Sequence, residues 1–253
     1  MKTKRDELEK EFFARIPKAR KIDPFFRAIF DFMYQAHIVA RRGTRLLNIY
    51  TSQDFAGNRE EVYREKFFAV CEYEGVDFWH DTFIREGSGQ KMPERPEDIP
   101  ENQRHTLPFS DQHFDVLVTT KYIMEHVSEP EKVVREFHRV LKPGGEAFVA
   151  AAHVRRQHQK PYDYFRYTEF GLEYLFKKAG FSQIHITPTN GAMGTFGMYA
   201  YFFVRGLGLP RWMERLLDSL DYWMIRPFFF LLDRLDNGYG RDLTQYFLVR
   251  ARK

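Results

Sequence analysis

The sequence predicts an α/β domain built on a parallel, doubly wound sheet. Two observations carry this. Short β-rich runs alternate with apolar-periodic segments of about a dozen residues, the pattern of strands joined by right-handed helical crossovers. The chain is also long enough, at 253 residues with 43% apolar residues, to bury a core without staples. A single cysteine, Cys71, excludes an intrachain disulfide framework and fits a reducing compartment. The mean hydropathy of −0.53 argues against a polytopic membrane protein. The first residues carry charges throughout and no apolar h-region, so no secretory signal is read there and a cytoplasmic location is expected.

In chain order, Asp23-Pro24 opens a helix, with Asp as cap and Pro in the first turn. The apolar spacing continues to the basic pair Arg41-Arg42. RLLNIY (45–50) reads as a buried strand, 58–68 as a helix capped by Asn58, and 73–78 as a second strand. Residues 79–106 hold Pro93, Pro96 and Pro100 among many charges and read as a loop insertion, a length that usually marks function or mobility. FDVLVTT (114–120) is the clearest strand. A helix spans 130–141, started by Pro130 and stopped by Pro143-Gly144-Gly145, followed by a strand over 146–154. Thr168 caps a helix that Gly180 ends, and 181–187 returns as a strand. The aromatic stretch 191–209 contains glycines, so a spanning helix is not expected. Residues 210–235 are amphipathic and helical with a break at Pro227, and 246–249 form a terminal strand.

The charge is uneven. Residues 1–22 hold eight Lys/Arg against four acids, which accounts for the whole formal charge of +4. A terminal excess is not a sustained basic face, so nucleic acid is not an expected partner. The expected organisation is an N-terminal basic arm and helix (1–42) followed by an α/β domain (43–253). That domain carries the loop insertion and an aromatic helical insertion at 190–240.

The run LPFSDQHFDVLVTTKYIMEHVSEPEKVVREFHRVLKPGGEAFVA, starting at Leu107, resembles class I S-adenosylmethionine-dependent methyltransferases, the type-11 group in particular. Leu-Pro-Phe, Phe-Asp-Val with its strand, Glu-His-Val, a helix and Leu-Lys-Pro-Gly-Gly follow in the family's order and spacing. DYFRYTEFGLEYLFKKAGF resembles the segment after the family's fifth strand, and TQYFLVRARK its antiparallel last strand. The resemblance implies a Rossmann-like, doubly wound, seven-stranded sheet, mostly parallel with an antiparallel last strand. It also implies S-adenosylmethionine as cofactor.

In open α/β sheets, ligands bind beyond the carboxyl ends of the strands at the switch point. This places the cofactor near Asn48, Tyr50, Ser52, Asp77, Phe78, Leu107 and Thr119. Asp77, ending the second strand, would hold the ribose hydroxyls; on its residues alone it reads equally as a helix cap or surface acid. The backbone at 50–52 would hold the methionine end, with Thr119 on the crevice floor. On the acceptor side His126 is either a general base or a loop-fixing residue. Arg166, with Tyr164, either binds an anionic acceptor or pairs with Glu125 or Glu169. The Lys-Pro-Gly-Gly turn is structural.

One departure stands out. Where the family carries an acid and a glycine-rich turn after its first strand, this chain has Asn48, Tyr50 and Ser52, with Gly57 the nearest glycine. A tyrosine there would crowd the cofactor unless the loop takes another path. The readings are therefore a methyltransferase acting on a small or membrane-associated, lipid-linked acceptor, or an inactive relative serving as a binding or scaffold module. Metal is not expected, because His153 and His158 lack helical spacing and a third ligand. Trp212, Leu216, Leu217, Leu220, Trp223 and Met224 share a helical face, which reads as core or homodimer packing. It reads equally as a peripheral membrane contact through 207–235.

Overall fold

The computed structural model describes residues 3–14, 16, 21–51, 60–79, 81–90, 95, 98–120 and 122–253. The predicted Asn58 cap, Ser52 and Gly57 lie outside them, as do Pro93 and Pro96. Seven strands form one sheet: β1 (Arg45–Tyr50), β2 (Glu72–Trp79), β3 (Thr82–Arg85), β4 (Phe114–Thr119), β5 (Leu141–Ala152), β6 (Ser182–Pro188) and β7 (Tyr246–Arg252). Their order is β3-β2-β1-β4-β5-β7-β6. β1 is parallel to β2 and β4, and β4 to β5, whereas β7 runs antiparallel to both β5 and β6. The direction of winding reverses beside β1, which puts the ligand crevice at its carboxyl end.

The expected loop insertion contains the seventh strand. β3 pairs antiparallel with β2 through Trp79–Thr82, and Asp81 turns the hairpin at φ 61°. Phe83 is buried and packs on Phe78 at 5.1 Å between ring centroids. The edge strand is thus a hairpin arm, where the resemblance implied only one antiparallel strand, β7. β5 also starts earlier than expected. Leu141 already pairs with Phe114, and Gly144, at φ +79°, donates its N–H to the Lys253 carbonyl at 2.9 Å.

Strand periodicity divides the core between two faces. Leu46, Val116, Val118, Phe148, Ala150 and Leu248 meet helices α1 (Lys4–Ala14) and α2 (Pro24–Val39), and also Phe67 in the π-turn that continues α3 (Glu60–Val62). Leu47, Ile49, Leu117, Val149 and Val249 meet α4 (Pro130–Val140) and α5 (Glu169–Lys178). The caps are those the sequence predicts: Asp23 accepts the Phe25 N–H at 3.0 Å and Thr168 the Gly171 N–H at 3.1 Å.

The expected basic arm is structured from Lys4 to Ala14. Leu8 and Phe12 of α1 are buried, and Phe12 lies 5.6 Å from Phe30 and 6.5 Å from Phe67 between ring centroids. α1 therefore belongs to the same core as the sheet. The aromatic insertion forms α6 (Ala192–Gly206), α7 (Arg211–Leu220) and α8 (Arg226–Asp233). A π-turn at Asp221–Ile225 precedes Pro227, which sits in the first turn of α8 rather than breaking a helix. No described helix is long and apolar enough to cross a membrane.

Candidate active site

The carboxyl ends of β1, β2, β4 and β5 converge as the winding requires. Thr51 follows β1, Phe78 and Trp79 end β2, Ile123 and His126 follow β4, and Gln159 and Tyr162 follow β5; together they line a narrow cavity. Its volume of about 10 Å³ is no more than one water needs, so a larger ligand reaches these side chains only by displacing some of them. Thr51 Oγ1 is buried and has no hydrogen-bond partner among the described residues. An orphaned hydroxyl facing a crevice is a group that a ligand can satisfy.

The predicted cofactor residues separate into two groups. Phe78 lines the cavity, and Asp77 stands level with Tyr50 across the β1–β2 pair. β2 continues two residues past Asp77 into the hairpin, so this acid is near the strand end and also pairs with Ile84 of β3. Asn48, Leu107 and Thr119 are instead committed to the scaffold. The Asn48 amide donates to the Tyr73 hydroxyl at 2.7 Å and accepts the Thr120 N–H at 3.3 Å. The Leu107 N–H donates to Glu136, and the Thr119 hydroxyl accepts the Ala150 N–H at 3.2 Å. All three are essentially fully buried, so they brace the crevice rather than line it.

Tyr50 does not crowd the crevice in the manner the glycine comparison suggests. Its ring lies over Gly75 of β2, with Cε1 3.1 Å from where a Cβ would stand. A glycine on the neighbouring strand leaves room for the ring there, where a side chain would meet it.

On the acceptor side, Met124–His126 form a short 3₁₀ turn after β4, and the Tyr164 N–H donates to the Glu125 carbonyl at 2.8 Å. This bond brings the stretch after β5 against Glu125-His126. His126 Nδ1 donates to the Tyr162 carbonyl at 2.6 Å, and its Nε2 faces His158 Nε2 at 3.2 Å. Glu125 is 0% exposed; Oε1 accepts from Tyr246 at 3.4 Å, and Oε2 has no hydrogen-bond partner among the described residues. Burial pushes the Glu125 carboxyl upward, against the pull of His126. Burial and the neighbouring His126 likewise lower His158.

Arg166 pairs with neither Glu125 nor Glu169. It forks onto both oxygens of Asp163 at 2.6 and 2.7 Å and donates to the carbonyls of Arg155, Arg156 and Phe165. Its donors therefore hold the loop after β5 in shape. Tyr164 is 44% exposed at the rim, with burial and then Asp81 raising its hydroxyl.

The sequence reading missed a network beside the crevice. Asp81, His105 and Ser128 come from three separate segments. The Ser128 hydroxyl donates to Asp81 Oδ2 at 2.6 Å and its N–H to Oδ1 at 2.8 Å, while His105 Nε2 lies 3.1 Å from Oδ1. Burial alone would raise Asp81; the bonds from His105 and Ser128 outweigh it and hold the carboxyl below the usual range. Trp79, Ile123, Gln159 and Tyr162 were also missed as lining residues, and Thr51 was placed only by its backbone, not by its hydroxyl.

Residues 57–149 match the family model described as a methyltransferase domain. The matched stretch runs through β2, β3, β4 and α4 into β5, and the seven-stranded sheet is the one the resemblance implied, apart from the hairpin arm β3. A search of curated proteins returned no match. Among solved structures, the chain is similar to the [4+2]-cyclase SpnF at 16% identity and a TM-score of 0.45, covering 88% of this chain and 80% of that one. It is similar to an S-adenosylmethionine-dependent methyltransferase from Archaeoglobus fulgidus at 11% identity and a TM-score of 0.45, over 87% and 90% of the two chains. It is also similar to phosphoethanolamine N-methyltransferase 2 from Haemonchus contortus, solved with S-adenosyl-L-methionine, at 14% identity and a TM-score of 0.46. That match covers 100% of this chain and 60% of the other. Likenesses at this level carry no functional argument.

Proposed function

We propose that this chain transfers a methyl group from S-adenosylmethionine to a small or membrane-associated acceptor at the crevice beyond β1, β2, β4 and β5. The observation that carries the reading is the unpartnered Thr51 hydroxyl at the carboxyl end of β1, with Asp77 close by on β2. The donor set fits the group. Thr51 offers a hydroxyl to a polar end, and Phe78 and Trp79 give apolar walls; Asp77 does not line the cavity but stands beside Tyr50 on β2, where its carboxylate would accept from two ribose hydroxyls. Bound S-adenosylmethionine supplies an electrophilic methyl on a sulfonium, already activated. The protein's work is then to orient the acceptor and exclude water. His126 lines the same cavity, but its Nε2 is turned to His158, so it does not stand alone as a base.

The placement of Tyr50 over Gly75 favours the enzyme over the scaffold reading, because the substituted ring is not among the side chains that line the cavity. The finer reading, a membrane-associated acceptor, draws support from the insertion. Trp212 and Trp223 are 68% and 65% exposed, beside exposed Leu216, Met224, Phe228 and Leu231. An apolar helical face edged with arginines suits a lipid interface. The test is incubation with methyl-labelled S-adenosylmethionine and separate small-molecule and lipid fractions. Label appearing in one fraction, and lost in Asp77→Ala, supports the reading. Cofactor binding without transfer to either fraction would favour the scaffold.

A further inference from the structure

The geometry points to a divalent transition-metal site, of the zinc class, held by Glu125, His126 and His158. Their ligand atoms lie within 4.8 Å of one another, and the cluster lies on the acceptor side of the crevice. The tautomers follow from the hydrogen bonds. A carbonyl oxygen can only accept, so His126 Nδ1, 2.6 Å from the Tyr162 carbonyl, carries the proton. His158 Nδ1, 3.2 Å from the Arg156 carbonyl, carries it by the same logic. With both rings neutral, both Nε2 atoms are bare lone pairs, and they face each other at 3.2 Å. Two nitrogens so placed need a cation between them, a metal ion or a shared proton.

The separation is that of two ligands on one ion. Nitrogens about 2.0–2.1 Å from a tetrahedral zinc stand about 3.3 Å apart. The third ligand is the Glu125 carboxylate: Oε1 lies 3.8 Å from His158 Nε2, and Oε2 is buried with no hydrogen-bond partner among the described residues. The outer shell is also of the expected kind. Metal-bound imidazoles donate their other N–H to a carbonyl or carboxylate. Here Tyr162 and Arg156 supply carbonyls, and Asp163 Oδ2 lies 3.4 Å from His158 Nδ1 and is itself clamped by Arg166. This gives Arg166 and Asp163 a purpose that an acceptor-binding arginine would not have.

The expectation of no metal rested on pairing His158 with His153. The fold instead turns His153 to the Asp242 carbonyl at 2.8 Å and brings His158 to a pair thirty-two residues upstream. Three protein ligands leave a zinc-class ion an open position, which the cavity lined by His126 can supply with water or an acceptor oxygen. The acceptor class this favours is a hydroxyl compound, whose oxygen the ion would polarise. Only that role rests on the function proposed above.

The test is titration of the chelator-stripped full-length chain with Co²⁺, followed by displacement with Zn²⁺. The expected result is visible d–d absorption saturating at one equivalent, abolished by Zn²⁺. Affinity should fall at least tenfold in His158→Ala and in Glu125→Gln, with folding of both checked by circular dichroism. Zn²⁺ should also raise the melting temperature of the wild-type chain. A wild-type chain with no d–d bands and no thermal shift would overturn the site and leave a proton-sharing histidine pair. So would folded variants that bind Co²⁺ as tightly as wild type. S-adenosylmethionine binding, measured by calorimetry on the same samples, is read separately, so failure of the metal site and failure of the cofactor reading are distinguishable.

Discussion

Replacing Arg139 with methionine tests whether the Leu107–Phe109 turn is held from α4. The guanidinium donates to the carbonyls of Phe109 at 2.7 Å and Leu107 at 3.0 Å, to both oxygens of Glu136, and to Asp111 at 2.8 Å. Glu136 in turn accepts the Leu107 N–H at 2.8 Å. The Arg139 side chain is 28% exposed and that of Glu136 17%, so the pair is partly screened. Charge-assisted bonds contribute about 1.5–3 kcal/mol each, but they share one side chain and do not add. The partly exposed Asp111 contact contributes little. The two carbonyls and the stranded Glu136 carboxylate set the loss at about 3 kcal/mol. For a chain of this size each kcal/mol moves the melting temperature by about 2 °C, giving a fall of about 6 °C. Differential scanning calorimetry at neutral pH measures it. Arg139→Met combined with Glu136→Gln should lose less than the sum of the singles, because the stranded charge is removed. A fall under about 1 °C for Arg139→Met, or strict additivity, would refute the reasoning.

Asp81 is held below the usual carboxylate range, so its stabilisation is present above the unfolded value of about 3.9 and is lost as pH falls through its lower folded value. The melting-temperature gap between wild type and Asp81→Asn should therefore shrink as pH falls from about 5 to below about 4; a gap that widens over that range contradicts this. Phe12→Ala, which empties a site between Phe30 and Phe67, should cost about 3–5 kcal/mol in chemical denaturation. A dispensable basic arm would show almost no loss. Trp212→Ser with Trp223→Ser should reduce co-sedimentation with lipid vesicles several-fold while leaving circular dichroism unchanged, since both rings are exposed. Equal sedimentation of both proteins would remove the lipid-facing role.

Much of the scaffold could be read from the sequence because its signals are local. Asp23, Pro130 and Thr168 start helices through their own side chains or ring geometry, and the β1, β4 and β5 strands declare themselves by apolar runs. What stayed hidden depends on partners. Thr82–Arg85 is four residues long inside a charged, proline-containing stretch, and only pairing with β2 makes it a strand. α1 carries so many charges that Leu8 and Phe12 gave little periodicity until α2 and the π-turn covered them. In the site, Phe78 was legible from its place near the end of β2, and His126, seven residues past β4, from the Glu-His-Val resemblance. Arg166 stayed open between an anionic acceptor and Glu125 or Glu169 because its actual partner Asp163, three residues away, lies in irregular backbone where spacing predicts no contact. The Glu125–His126–His158 cluster joins two segments through the Tyr164–Glu125 backbone bond, and no sequence interval encodes that bond.

The central claim is that the crevice at the end of β1 binds S-adenosylmethionine. Calorimetric titration of the full-length chain with S-adenosylmethionine and S-adenosylhomocysteine, repeated on Asp77→Ala and Thr51→Val, tests it most directly. One site per chain is expected, with affinity falling at least tenfold in Asp77→Ala and by a smaller factor in Thr51→Val. Absence of binding to the wild-type chain at millimolar ligand, or binding that both folded variants retain in full, would contradict it.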